Sequence, residues 1–180
     1  MSPTFKDLTD YIIILGAADV AHTSKTYLAH AISVYQDLKT WGCDEVLCRA
    51  GLFHSIYGTQ GFQDFTLPLD RQTELRALIG EHAERIAFVN CFMDRDTLDA
   101  QVSQLSETYI IIDRVTHAAI SLSKAEFDDL VRVHLCDWLE QAPRVKTWNY
   151  RRLAYRQMAE RLGGVALAAY DRVFSTAPVS

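Results

Sequence analysis

His30, in TYLAHAISVYQDLKTWG, and His54, in CRAGLFHSIYG, stand twenty-four positions apart on two apolar stretches of helical character. A third such stretch, DDLVRVHLCDWLE, carries His134 and Asp137 one turn apart. A polar, ligand-type side chain facing a core is costly to bury unless it is hydrogen-bonded or bound to metal. At 100° per residue His30 falls at the edge of an apolar stripe beside Val34 and Trp41, and Asp137 flanks the face made by Leu130, His134 and Trp138. His54 lies on a stretch without a polar face and must be largely buried. Two imidazoles and a carboxylate suit many transition metals and leave coordination positions for water or substrate. The competing reading makes each histidine a hydrogen-bonded core residue. The metal reading demands that His30, His54 and Asp137 converge on one point.

The elements that must position these groups read as helices. Thr4 to Ala18 carries Phe5, Leu8, Ile12 and Leu15 at helical steps, and Asp19 to Lys25 reads as a polar loop with Thr23 or Ser24 as a cap. Thr26 to Trp41 is amphipathic and stops at Gly42. Asp44 opens a helix running to Tyr57, followed by the loop GTQGFQDFTLPLD. Two helices follow, Asp70 to Ile79 and Glu81 to Met93, broken by Gly80. Thr108 to Ser123 is β-branched and nearly alternating, which predicts a small hairpin. Ser123 and Glu126 form a capping-box signature for a helix to about Glu140, ended by Pro143. The tail predicts helices over Tyr150 to Leu162 and Val165 to Phe174, parted by Gly163-Gly164. The expected fold is an all-α, single-domain helical bundle over residues 1–180, with that one hairpin near 108–122.

Of the 180 residues, 49% are apolar and 23% charged, an ordinary globular composition for one well-buried domain. The net charge of −5 argues against a nucleic-acid-backbone binder. Cys43, Cys48, Cys91 and Cys136 form no C-x-x-C pair and lie in apolar segments, as reduced packing residues do. YIIILGAA is too short to span a bilayer, and no clear signal-peptide cleavage pattern is seen, so a cytoplasmic protein with no membrane partner is expected. P-loop, G-x-S-x-G and G-x-G-x-x-G motifs are absent. His22 and Lys25 flank the loop before His30, where they would contact a phosphate or simply be solvated. Tyr57 and Thr59 would shape a substrate pocket beside His54 or an ordinary helix end. Arg144, Lys146, Arg151, Arg152 and Arg156 make a basic cluster that is either a solvated face or an anion- or partner-binding patch.

The segment HTSKTYLAHAISVYQDLKTWGCDEVLCRAGLFHSIYGT, His22 to Thr59, resembles the opening of the HD superfamily of metal-dependent phosphohydrolases, in particular the guanosine tetraphosphate hydrolase branch. Ser24, Tyr27 and His30 match that family's loop and first ligand histidine, and His54 matches the histidine of the HD dipeptide. RALIGEHAERIAFVN is similar to the helix after the catalytic loop, and LVRVHLCDWLEQ to the late helix with the last aspartate ligand, here Asp137. The likeness spans residues 5–141, with 144–175 as a helical extension. It implies a divalent metal (Mn, Fe or Zn) held by His30, His54 and Asp137, and a small phosphorylated or nucleotide-like substrate.

The chain departs from the family where catalysis is concerned. Ser55 stands at the aspartate of the HD dipeptide, and Tyr57-Gly58 stands where the nucleotide hydrolases carry an acidic pair. Asp64, Glu81 or Asp94 would have to replace the missing water-activating carboxylates. Three functions are therefore expected: first a phosphohydrolase, second a non-haem iron oxygenase, and third, close behind the first, a degenerate module that binds a ligand or partner without turnover.

Overall fold

The computed structural model describes residues 3–145 and 147–178. It is mostly α-helical, with two small two-stranded antiparallel sheets. The chain opens with α1 (Phe5–Ile14), capped by Thr4 and Asp7 in a reciprocal box, and stops short of the expected Ala18 where Gly16 turns to φ 75°. The expected loop before His30 is instead a hairpin of β1 (Ala21–His22) and β2 (Lys25–Thr26). Its two connecting residues, Thr23 and Ser24, both adopt positive φ, as a two-residue turn of this hand requires. Non-glycine residues in that region are strained and must be held from outside. The Thr23 hydroxyl donates to Gln141 Oε1 at 2.8 Å, and Arg144 Nε donates to the Thr23 carbonyl at 3.1 Å.

Thr26, rather than Thr23 or Ser24, caps α2 (Tyr27–Thr40), accepting from the Ala29 amide. Asp44 caps α3 (Glu45–Leu52) through the Leu47 amide. This helix ends five residues before the expected Tyr57. From Phe53 onward the chain runs in tight turns, with Ile56 N–H bonded to the Phe53 carbonyl and Gly58 N–H to the Ser55 carbonyl. His54 therefore sits just past a helix end, inside the core.

A short 3₁₀ turn (Leu69–Arg71) leads into α4 (Gln72–Ile79), and Gly80 at φ 95° breaks it from α5 (Glu81–Phe92). A short helix that the sequence pattern does not announce follows, α6 (Arg95–Gln101), capped by Asp94 and burying Leu98. β3 (Thr108–Ile112) pairs with β4 (Ala119–Ser123) in the expected hairpin, with Tyr109, Ile111 and Leu122 turned inward. His117 sits exposed at its tip. α7 (Lys124–Gln141) packs against α2, α3, α5 and the two tail helices, α8 (Arg152–Leu162) and α9 (Gly164–Phe174). Its Val133 and Cys136 join one hydrophobic cluster with α1 to α5. Leu130, Val131, Leu135 and Trp138 join a second with the hairpin and tail. The polar residues of α7 that remain inside lie at its C-terminal end, where the site is built. Among the described residues no helix is long and apolar enough to cross a membrane.

The start of α7 is pinned by the predicted box: Glu126 accepts from the Ser123 amide and hydroxyl and from Arg85 Nε. Burial opposes ionisation of Glu126, but these bonds outweigh it and bring its pKa down to about 2. A carboxyl depressed on folding stabilises the fold above its unfolded pKa and loses that contribution as pH falls toward 2. Glu126→Gln should cost about 1–2 kcal/mol at pH 7. In urea titrations the gap between variant and wild type should close as pH drops from about 5 to 2.

Candidate metal centre

α2 carries His30, the turn after α3 carries His54, and the end of α7 carries Asp137. All three are buried. His30 Nε2 lies 3.2 Å from His54 Nε2 and 3.0 Å from Asp137 Oδ1, and His54 Nε2 lies 3.2 Å from the same oxygen. Ligands about 2.1 Å from one ion stand roughly 3.0 Å apart at right angles and about 3.4 Å apart at the tetrahedral angle. The observed triangle falls within that range. The convergence demanded by the metal reading is present.

The hydrogen-bond chemistry of each ring agrees. His54 Nδ1 lies 2.7 Å from the Gly51 carbonyl, which has only lone pairs to offer, so Nδ1 carries the proton. His30 Nδ1–H likewise donates to Glu140 Oε2 at 2.6 Å. In their neutral forms both rings then present a bare Nε2 lone pair to an anionic oxygen. Three acceptors facing one another without a donor repel, and a cation resolves the conflict. Without one, a proton does so: burial works against a charged His30, but bonds to Asp137 and Glu140 outweigh it and raise its pKa to about 9. Burial also opposes ionisation of Asp137, yet the neighbouring His54 and His30 hold its carboxyl well below the usual range.

The groups behind the triangle set its orientation. Glu140, one turn beyond Asp137, is gripped by Lys25 Nζ at 2.5 Å and by Arg144 Nη2 at 2.6 Å. Gln141 donates to Asp137 Oδ1 at 2.6 Å, which ties the carboxylate to the strained turn at Thr23. His134 is not a ligand. Its Nδ1–H donates to Asn90 Oδ1, the Asn90 amide donates to the His54 carbonyl at 2.8 Å, and Arg151 donates to His134 Nε2 at 2.9 Å. Outer partners of this kind typically change metal affinity about 10–100-fold. Glu140→Gln should weaken divalent-metal binding by that order in a competition titration, with the fold retained by circular dichroism.

A cavity of about 360 Å³ opens beside the triangle, and Asp137 and His54 form part of its wall. Of the residues expected at a substrate pocket, His22 and Thr59 line it. The His22 ring stacks on His30 at 4.1 Å and rests against Phe62, and burial, with the His30 charge, brings its pKa down to about 4. Phe62 and Gly61, from the loop expected to cover the pocket, also line it. Lys25 turns away to Glu140, and the Tyr57 hydroxyl donates to buried Glu84 at 2.9 Å. Ser55 lines the cavity with a buried, unpartnered hydroxyl. Asp64, Glu81 and Asp94 do not line it, and Asp94 is occupied in capping α6.

Three members of the basic cluster stand in ion pairs, Arg144 with Glu140, Arg151 with Asp99, and Arg156 with Glu160 and Asp171, while Arg152 lies over the Phe174 ring. Lys146 lies outside the described residues. The four cysteines are free, and burial raises their thiol pKa values. Sequence reasoning missed Glu140, although its spacing of three from Asp137 puts both on one face of a helix. It also missed Arg95, which lines the cavity from the unannounced α6, and it read Trp138 only as core. Over residues 11–95, slightly less than half of its length and a stretch holding His30 and His54 but not Asp137, the chain is similar to a family described as a domain of unknown function (DUF6817). Comparison with curated proteins and with solved structures gives no match.

Proposed function

We propose that the protein is an HD-like metal-dependent hydrolase of a small phosphorylated or nucleotide-like substrate. The observation that carries this reading is the triangle of His30, His54 and Asp137, whose acceptor atoms meet 3.0–3.2 Å apart beside a ligand-sized cavity that His54 and Asp137 line. A divalent ion held there would polarise a phosphoryl oxygen and lower the pKa of water. The chain's own groups do the rest. Asp137, fixed by Gln141, supplies the charge that retains the cation, and Glu140 keeps the His30 tautomer from turning over. His22 lines the cavity as a neutral ring stacked on His30, with a buried Nδ1 that has no partner among the described residues. Phe62 and Trp138 wall off bulk water.

One observation favours a second reading, binding without turnover. Among the described residues the only carboxylate lining the cavity is Asp137 itself, so the acidic groups that activate water in the nucleotide hydrolases have no counterpart there. The discriminating experiment is incubation of manganese-loaded protein with a panel of phosphomonoesters. Release of inorganic phosphate by the wild type and not by Asp137→Asn supports the hydrolase. Metal uptake with no release from any ester supports the binding module, and oxygen consumption by iron-loaded protein would favour an oxygenase.

A further inference from the structure

The triangle leaves most of the cavity wall unexplained. Among the described residues four side chains there hold a buried polar atom that finds no hydrogen-bond partner: Arg95 Nε, Trp138 Nε1, Ser55 Oγ and His22 Nδ1. Trp138, Ser55 and His22 are each more than nine-tenths buried. The indole and guanidinium nitrogens are donors only, so their missing partners are acceptors.

Among the described residues Arg95 is the one arginine or lysine on this wall. Its Nη1 donates to the Tyr150 hydroxyl at 2.9 Å and its Nη2 reaches the Thr59 hydroxyl at 3.5 Å, and it pairs with no carboxylate among the described residues. The nearby Arg151, by contrast, is neutralised by Asp99. The Arg95 side chain is held in place from the loop side, since a Cβ on Gly61 would come within 3.1 Å of Nη1. A fixed guanidinium bonded only to hydroxyls, with an indole N–H on the same wall, is an uncompensated donor set for an oxyanion. The volume of 360 Å³ lies near the low end of small-molecule sites, which run from about 300 to 1,000 Å³.

We propose that Arg95 and the Trp138 indole form a phosphate-reading wall beside the metal triangle, and that the substrate is a small phosphomonoester whose phosphate is held there. The identity of the substrate rests on the hydrolase reading above; the oxyanion wall itself does not. The test is calorimetric titration of inorganic phosphate, and separately of acetate, into the manganese-loaded full chain. Arg95→Gln should weaken phosphate binding roughly 10–100-fold, as loss of charged hydrogen bonds does, with Arg95→Lys in between. Trp138→Phe keeps a ring but removes the donor, and should weaken it about 3–10-fold. Manganese affinity should stay within about twofold in all three, because neither residue lies in the ligand triangle. If Arg95→Gln fails to fold, the lysine and phenylalanine variants carry the test. Phosphate affinity indifferent to all these variants, no phosphate binding by the wild type, or acetate binding as tightly as phosphate would overturn the proposal. The two readings fail separately. A chain that takes up no manganese but loses phosphate binding in Arg95→Gln keeps the wall and loses the metal centre, and the reverse pattern keeps the centre and loses the wall.

Discussion

Asp137→Asn and His54→Ala are expected to abolish most of the thermal stabilisation that a divalent ion gives the wild-type chain. An ion present at a thousand times its dissociation constant stabilises the folded state by about 4 kcal/mol. In a domain of this size each kcal/mol moves Tm by about 2–4 °C, so chelation should lower the wild-type Tm by roughly 8–16 °C. Asp137→Asn keeps the shape of the side chain but removes the charge on which two imidazoles converge, 3.0 and 3.2 Å away. His54→Ala removes one apex outright. In both variants scanning calorimetry with and without chelator should give nearly coincident transitions. An undiminished gap in Asp137→Asn would mean that the stabilising ion sits elsewhere.

Ser55→Asp should act in the opposite direction. Ser55 adjoins His54, is 2% exposed, lines the cavity and has an unpartnered hydroxyl. A carboxylate at that position adds a charged ligand where a neutral one stood, and charge-assisted contacts are about twice as strong as neutral ones. Divalent-metal affinity should rise by at least about tenfold, or roughly 1.4 kcal/mol. The same carboxylate without the ion is a buried charge, which is costly, so the chelated variant should melt below chelated wild type. The metal-dependent gap in Tm therefore widens from both ends. Unchanged or weaker metal binding by a folded variant would show that residue 55 does not face the ion, and would break the correspondence between His54-Ser55 and the HD dipeptide.

The helices were legible wherever a periodic apolar face and a cap coincided. Asp44 and Ser123 each open a helix at the position their side chains imply, and the alternation in TYIII and AISLS is a hairpin with its buried residues two apart. His30 and Asp137 could be placed because each lies on a regular helix, where position fixes direction. The burial of His54 was legible, since its segment is apolar on all sides, but its direction was not: periodicity does not reveal that α3 gives way to turns at Phe53. The β1–β2 hairpin was unreadable for another reason. Its turn is Thr23-Ser24, residues that seldom take positive φ, and tertiary bonds between Thr23 and both Gln141 and Arg144 brace it, which sequence does not show. The pairing within the basic cluster was not legible, because charge in sequence does not show its partners; Asp99 is 52 positions from Arg151. Arg95 carried no signal at all, since it is one charged residue in a short polar helix.

The central claim is that His30, His54 and Asp137 hold one divalent ion. The most direct measurement is metal content by mass spectrometry after equilibrium dialysis of wild type and Asp137→Asn against manganese, zinc or iron(II). The account predicts one ion per wild-type chain for at least one of these metals, and none retained by the variant. A wild-type chain that keeps no stoichiometric ion under any of them, or a variant that keeps it as well as wild type does, would contradict the account.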